Sequence, residues 1–211
     1  PTIRNFWHTL LRTPVQCPGL KVPWYAVQGN HDNCFIGAFP DSPIVNQFYV
    51  GAKKLMNLDL DDLLGNTYPE LDKDTNPLAD IITGKKEFLT TVTPDKRRAP
   101  FTVTEYVNEH FKPENLGPGP RGHGFTGTNT RPYYLFEMVP GVAGIVLDTN
   151  KPDGGPDGWL GGRQMAWLEQ QLKRLNSRYF DTDGTLHRTG VKDKLVFLFT
   201  HHPSTNINSR G

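Results

Sequence analysis

Asn30, His31, Asp32 and Asn33 follow one another directly behind a glycine, in the run W-Y-A-V-Q-G-N-H-D-N at 24–33. An amide oxygen, an imidazole and a carboxylate side by side can ligate a metal ion or move a proton near neutral pH. Gly29 allows the tight turn that aims two consecutive side chains at one point. The same residue types also build plain turns, because Asn and Asp side chains bond to nearby backbone groups. A second concentration of such groups lies near the other end of the chain, where L-V-F-L-F-T runs into His201-His202-Pro203.

Each cluster follows an apolar run of strand length. Val22–Val27 and Lys194–Thr200 both read as strands buried on two faces. In open α/β sheets ligands bind beyond the carboxyl ends of the strands. Asn30-His31 and His201-His202 are therefore expected to meet despite their separation in sequence. Residues 2–12 carry Ile3, Phe6, Trp7, Leu10 and Leu11 at helical spacing, and Pro14 with Cys17-Pro18-Gly19 ends that helix. Y-Y-L-F-E-M-V (133–139) and V-A-G-I-V-L-D (142–148) flank Pro140-Gly141 and predict an antiparallel hairpin. G-G-R-Q-M-A-W-L-E-Q-Q-L-K-R-L predicts a helix with Met165, Leu168, Leu172 and Leu175 on one face. Glu169 and Lys173 form an i, i+4 pair on the other face.

Residues 35–130 are less regular. Helical spacing shows locally in Lys53–Leu64 and Leu78–Leu89, among Pro, Gly, Asn and Thr clusters such as G-P-G-P-R-G-H-G-F at 117–125. The stretch is too long for a plain connection. It reads as an insertion or loop-rich cap on a single domain that takes in 1–211.

The 211 residues suffice for one large domain with a buried core, and the net charge of +1 gives no reason to expect a nucleic-acid-binding surface. Lys96-Arg97-Arg98, between Asp95 and Pro100, reads as a solvated loop. No apolar run approaches the ~20 residues of a membrane span. No signal peptide is visible, but the chain starts at Pro1, so secreted and cytoplasmic locations both stay open. Cys17 and Cys34 make either a single bridge or two thiols. Nothing bears on oligomeric state. D-T-N-K-P-D-G-G-P-D-G at 148–158 lacks the spacing and terminal glutamate of an EF-hand and reads as a turn-rich loop. His8 reads as a surface or packing residue, and His110 and His187 as loop residues with no partner in view. His123, in the glycine-rich loop, reads as a plain loop residue, or as one facing the site if the insertion folds over it. Trp159 and Trp167 read as core. No G-x-S-x-G nucleophile elbow occurs, which argues against a serine hydrolase of the α/β type.

V-Q-G-N-H-D behind a strand resembles the G-N-H-[D/E] signature of the calcineurin-like metallophosphoesterases. L-F-T-H-H-P resembles the later histidine motif of the same family. The order between them also fits: a hairpin ending in L-D-T-N, a glycine, the Q-M-A-W-L-E-Q-Q-L helix, then the histidine strand. The resemblance covers 20–34 and 132–204, and leans toward the purple acid phosphatase and cyclic-phosphodiesterase-like branches. It implies an α/β/β/α sandwich of mixed sheets with two metal ions at the carboxyl ends of the strands. The metals would be divalent or trivalent iron, manganese or zinc, which such ligands do not separate. By the same carry-over, Asn30 and His201 would ligate one metal. His31 would contact the phosphate and protonate the leaving oxygen, and Asp32 would orient His31 or hold the turn. His202, the rival of His201 for the metal, would take the lesser role of supporting the ligand or contacting substrate. The implied reaction is hydrolysis of a small phosphoester, mono- or diester, by metal-bound hydroxide without a covalent intermediate. The family's D-x-H, G-D-x-x-D and G-H-x-H motifs are absent from these residues. The expectation is an internal fragment without its first and last motif-bearing segments, which by itself binds metals poorly and hydrolyses little. The alternative is a non-catalytic binding scaffold with a degenerate metallophosphoesterase fold.

Overall fold

The computed structural model describes residues 13, 16, 18–34, 37–38, 43–55, 89–127 and 131–208. The expected helix at 2–12, Cys17, and the helical spacing over 56–88 lie outside these residues. In chain order the helices are α1 (Asn30–Asn33), α2 (Pro43–Val50), α3 (Val103–Glu109) and α4 (Gly162–Leu175). The strands are β1 (Lys53–Leu55), β2 (Leu89–Thr91), β3 (Tyr134–Val139), β4 (Val142–Val146), β5 (Gly158–Trp159), β6 (Arg178–Phe180), β7 (Leu186–Arg188), β8 (Leu195–Phe199) and β9 (Ile207–Asn208).

The hairpin at 133–148 forms the centre. β3 and β4 pair antiparallel, with Tyr134 opposite Val146 and Val139 opposite Val142. Gly141 at the turn has φ +86, a left-handed conformation that favours glycine. β8 joins β4 in parallel, Val142 opposite Leu195 through Val146 opposite Phe199, giving the order β3-β4-β8. Strand alternation then sends β4 side chains to two different cores. Ala143, Ile145 and Leu147 pack with Leu168 and Leu175 of α4 on one face. On the other face Val146 packs with Ala26, Val107, Phe125 and Tyr134. Three two-stranded sheets complete the pairing among the described residues: β1-β2, β5-β9 and β6-β7. The fold is mixed α/β.

α4 spans the predicted residues, and Lys173 Nζ lies 2.7 Å from Glu169 Oε1, the foreseen i, i+4 pair. Its buried stripe is Gln164, Leu168, Gln171 and Leu175, whereas Met165 is exposed. Two amides thus stand where an apolar stripe would place hydrophobic side chains.

Several expectations are corrected. Val22–Val27 belongs to no sheet among the described residues. Its backbone is tied instead to a loop, Ala26 N–H donating to His123 O at 3.0 Å, and Tyr134 Oη donates to Ala26 O at 2.7 Å. β8 does form, but among the described residues only β4 flanks it, and Leu195, Phe197, Leu198 and Phe199 are all exposed. Lys53–Leu55 is a strand and not the start of a helix, since it finds Leu89–Thr91 as an antiparallel partner. Tertiary pairing overrides local spacing there. Asp95 caps a short 3₁₀ turn at Lys96–Arg98 and pairs with Arg97, while Arg98 reaches the carbonyls of Gly51 and Thr93. Lys96 and Arg97 remain exposed, so the basic run is the expected solvated loop, held here in a short turn.

Within the 89–127 region α3 opens on a reciprocal cap. Glu105 N–H donates to Thr102 Oγ1, and Thr102 N–H to the Glu105 carboxylate. His110 and His187 have partners after all. His110 ends α3 against the rings of Trp24, Tyr106, His123 and Phe125. His187 stacks on Tyr179 and pairs with Asp181. His123 is fully buried and stacked on Trp24 with centroids 3.5 Å apart. Its ring nitrogens face Trp24 O at 3.3 Å and Asn115 O at 3.1 Å. It is a core histidine that fastens the glycine-rich loop to the segment leading into Gly29.

Candidate metal centre

The backbone turns at Gly29 because α1 starts there. Gly29 N–H donates to Asp32 Oδ2 at 2.8 Å, and Asp32 N–H returns to Gly29 O at 3.1 Å. Asp32 therefore holds the turn, the second of the two roles foreseen for it. This reciprocal closure presents Asn30 inward, 7 % exposed, and His31 outward.

Both ends of the Asn30 amide are committed. Nδ2 donates to Gly37 O at 2.5 Å, which fixes Oδ1 in the opposite direction. There it meets His201, whose Nε2–H donates to Asn30 Oδ1 at 2.9 Å across 171 residues of sequence. Gly29 is needed for this approach, because a Cβ on it would stand 2.9 Å from the His201 ring. Gly37, at φ +71, serves His31 in the same way, its missing side chain making room for the imidazole. The two apolar runs thus deliver Asn30 and His201 to one place.

His202 points elsewhere. It is buried, its Nδ1 is 2.7 Å from the Thr149 hydroxyl, and its backbone N–H donates to that oxygen at 3.3 Å. Its Cβ lies against Gly158, where a side chain would collide with it. Burial, and then the neighbouring His201, push its pKa down. The structure makes His202 a strut between the end of β8 and the 149–158 loop, the supporting one of the two roles expected for it.

Four residues beside this pair escaped the motif reading. Gln28 is fully buried, its side-chain amide without a hydrogen-bond partner among the described residues. Asp148 lies two residues past the row Val146–Phe199, as His201 does on the neighbouring strand. Burial pushes its carboxyl up to about 6, against hydrogen bonds from Asn150 that favour the ionised form. Asn150 bridges back, its Nδ2 donating to Gln28 O at 3.5 Å. Gln164 grips the Asp148 backbone from α4, accepting from its N–H at 2.8 Å and donating to its carbonyl at 2.6 Å. The signals were present in L-D-T-N and Q-M-A-W-L, but neither string says which backbone the amide will meet.

α3 flanks the same turn. Tyr106 is pushed up to about 12 by burial and then by the charge of Asp32, and burial lowers His110. Cys34, just after α1, is a free thiol raised by burial and by Asp148. Among the described residues no group of three or more His, Cys, Asp or Glu side chains comes together in a way that could hold a metal. Asn30 Oδ1 and His201 Nε2 nevertheless suit one cation, a hard oxygen and an imidazole nitrogen 2.9 Å apart, with the ring proton moved to Nδ1 to free the Nε2 lone pair. No family model, curated protein or solved structure matches the chain.

Proposed function

We propose that these residues belong to a metal-dependent phosphoester hydrolase of the metallophosphoesterase type, with the α/β/β/α sandwich that the motifs imply. The observation that carries this reading is the meeting of Asn30 and His201 at 2.9 Å, at the carboxyl end of β8 and of the segment before Gly29. Two metal ions, when bound, would neutralise the phosphate and lower the pKa of a coordinated water. Asn30 and His201 would hold one of them, with the Asn30 oxygen aimed by its second bond to Gly37. His31, exposed beside the turn, would meet a small phosphoester substrate and pass a proton to its leaving oxygen. Asp32 acts on both through the turn it closes.

The test is Asn30→Ala and His201→Ala in the full-length product of the reading frame, assayed with Mn²⁺ on p-nitrophenyl phosphate and bis-p-nitrophenyl phosphate. Each change is expected to lower metal content and turnover at least about a hundredfold, while His31→Ala lowers turnover with metal retained. Metal content and turnover unaffected by both substitutions would sink the assignment. A folded wild type that takes up no metal and turns over neither ester would favour the scaffold.

A further inference from the structure

Gln164 is an unusual residue for its place. It sits in the first turn of α4, on the stripe that continues with Leu168 and Leu175, and is 7 % exposed. Packing alone would be served by leucine. A buried amide costs stability unless both its ends are bonded. Here both ends are bonded to one residue: the oxygen accepts from Asp148 N–H at 2.8 Å and the nitrogen donates to Asp148 O at 2.6 Å. That pair of bonds is what an adjacent strand would supply, delivered by a helix at the point where β4 has run out of ladder.

The bonds continue from Asp148 toward the site. Asp148 Oδ1 accepts from Asn150 N–H at 3.0 Å and closes a local turn. The Asn150 amide donates to Gln28 O at 3.5 Å. Gln28 is the residue before Gly29, whose surface lies against the His201 ring and whose N–H is held by Asp32. Thr149, between Asp148 and Asn150, is fully buried and braces His202, the neighbour of His201. One side chain of α4 therefore anchors a loop that touches both halves of the candidate centre.

We propose that Gln164 is a positioning residue for the Asn30–His201 pair, acting through Asp148, Asn150 and Gln28. This rests on the pair being the metal-binding centre. The relay explains why a glutamine opens the helix in Q-M-A-W-L, a position that core packing does not require.

The experiment compares Gln164→Met, Gln164→Glu and Leu168→Ala. Met keeps the volume and removes both bonds. Glu can restore both when protonated, and loses its donor on ionisation. In the 211-residue chain, the imidazole nitrogen resonances of His201 report its bond to Asn30. Gln164→Met is expected to shift the His201 Nε2 resonance. The difference between Gln164→Glu and wild type in that resonance should vanish in acid and grow as pH rises through the carboxyl range. Leu168→Ala, a packing loss on the same stripe, should lower the melting temperature and leave the resonance in place. In the full-length product, Gln164→Met should weaken Mn²⁺ binding about ten- to a hundredfold, as loss of a supporting hydrogen bond does elsewhere. An unmoved His201 resonance in a folded Gln164→Met variant overturns the proposal. Should that variant fail to fold, a Gln164→Glu resonance that tracks the wild type at every pH overturns it equally. A shifted resonance in a protein whose wild type takes up no Mn²⁺ keeps the positioning role and discards the metal reading, so the two failures are distinct.

Discussion

At the scale of single residues, the candidate site depends on how each polar group is committed. Asn30 is fixed because both ends of its amide are used, one on Gly37 and one on His201. Asp148 is the opposite case, a carboxyl whose ionisation the fold opposes. Its folded value of about 6 lies above the ordinary 3.8, so ionising it costs stability. That cost is absent below about pH 4, grows through the window to pH 6 and is complete above it. At 1.36 kcal/mol per unit the full cost is about 3 kcal/mol. Asp148→Asn, which keeps an oxygen for Asn150 N–H, is expected to stabilise the chain by up to about that amount at pH 7.5 and by nothing at pH 4. Urea unfolding of both proteins across this range would show it, and a pH-independent difference would exclude the mechanism. Asn30, Asp32 and His201 were legible in sequence because their neighbours are sequential: a glycine, a turn, the end of an apolar run. Asp148 and Gln28 were not, since their character comes from burial against residues more than a hundred positions away or on another element. Which of the two roles His202 takes was not legible, because only the fold shows that it faces Thr149.

At the scale of elements, periodicity located α4 and the β3-β4 hairpin but misjudged what each face touches. The rule that reads Met165, Leu168, Leu172 and Leu175 as one face is blind to a neighbour that offers backbone groups instead of methyls. The observed stripe starts one residue earlier, and so recruits Gln164 and Gln171 and releases Met165. This can be weighed directly. Leu168→Ala should cost about 2–5 kcal/mol, the usual loss for a buried leucine. Met165→Ala, 40 % exposed, should cost about 1 kcal/mol or less. Equal losses in denaturant titrations would restore the original face. The apolar runs at 22–27 and 194–200 carried the composition of buried strands. Whether such a run is covered depends on which strands flank it, and only long-range pairing decides that. α3 was readable in principle, because T-V-T-E at 102–105 is a capping box.

Across the whole molecule, the three-stranded sheet carries one core toward α4 and another toward the 24–26 segment, α3 and the glycine-rich loop. Ile145, fully buried, marks the first, and Val146, the next residue in the chain, marks the second. This two-sided arrangement follows from strand alternation, and so the general α/β character was accessible from sequence. The extent of the sheet was not. Among the described residues it stops at β8, whose Leu195, Phe197, Leu198 and Phe199 are 59 %, 47 %, 53 % and 38 % exposed. The edge stands free among the described residues, with Lys194 the only charged residue immediately beside the strand and already engaged with Glu137. An apolar edge of this kind offers unused backbone donors and acceptors to any strand that arrives, including the same strand of another molecule. The colloidal behaviour of the isolated chain should therefore be governed by five residues of β8 and not by its net charge. Light scattering at rising concentration is expected to report growing particles for the wild type. Leu195→Lys or Leu198→Lys should suppress that growth while leaving circular dichroism unchanged, and growth that persists in both variants would place the adhesive surface elsewhere.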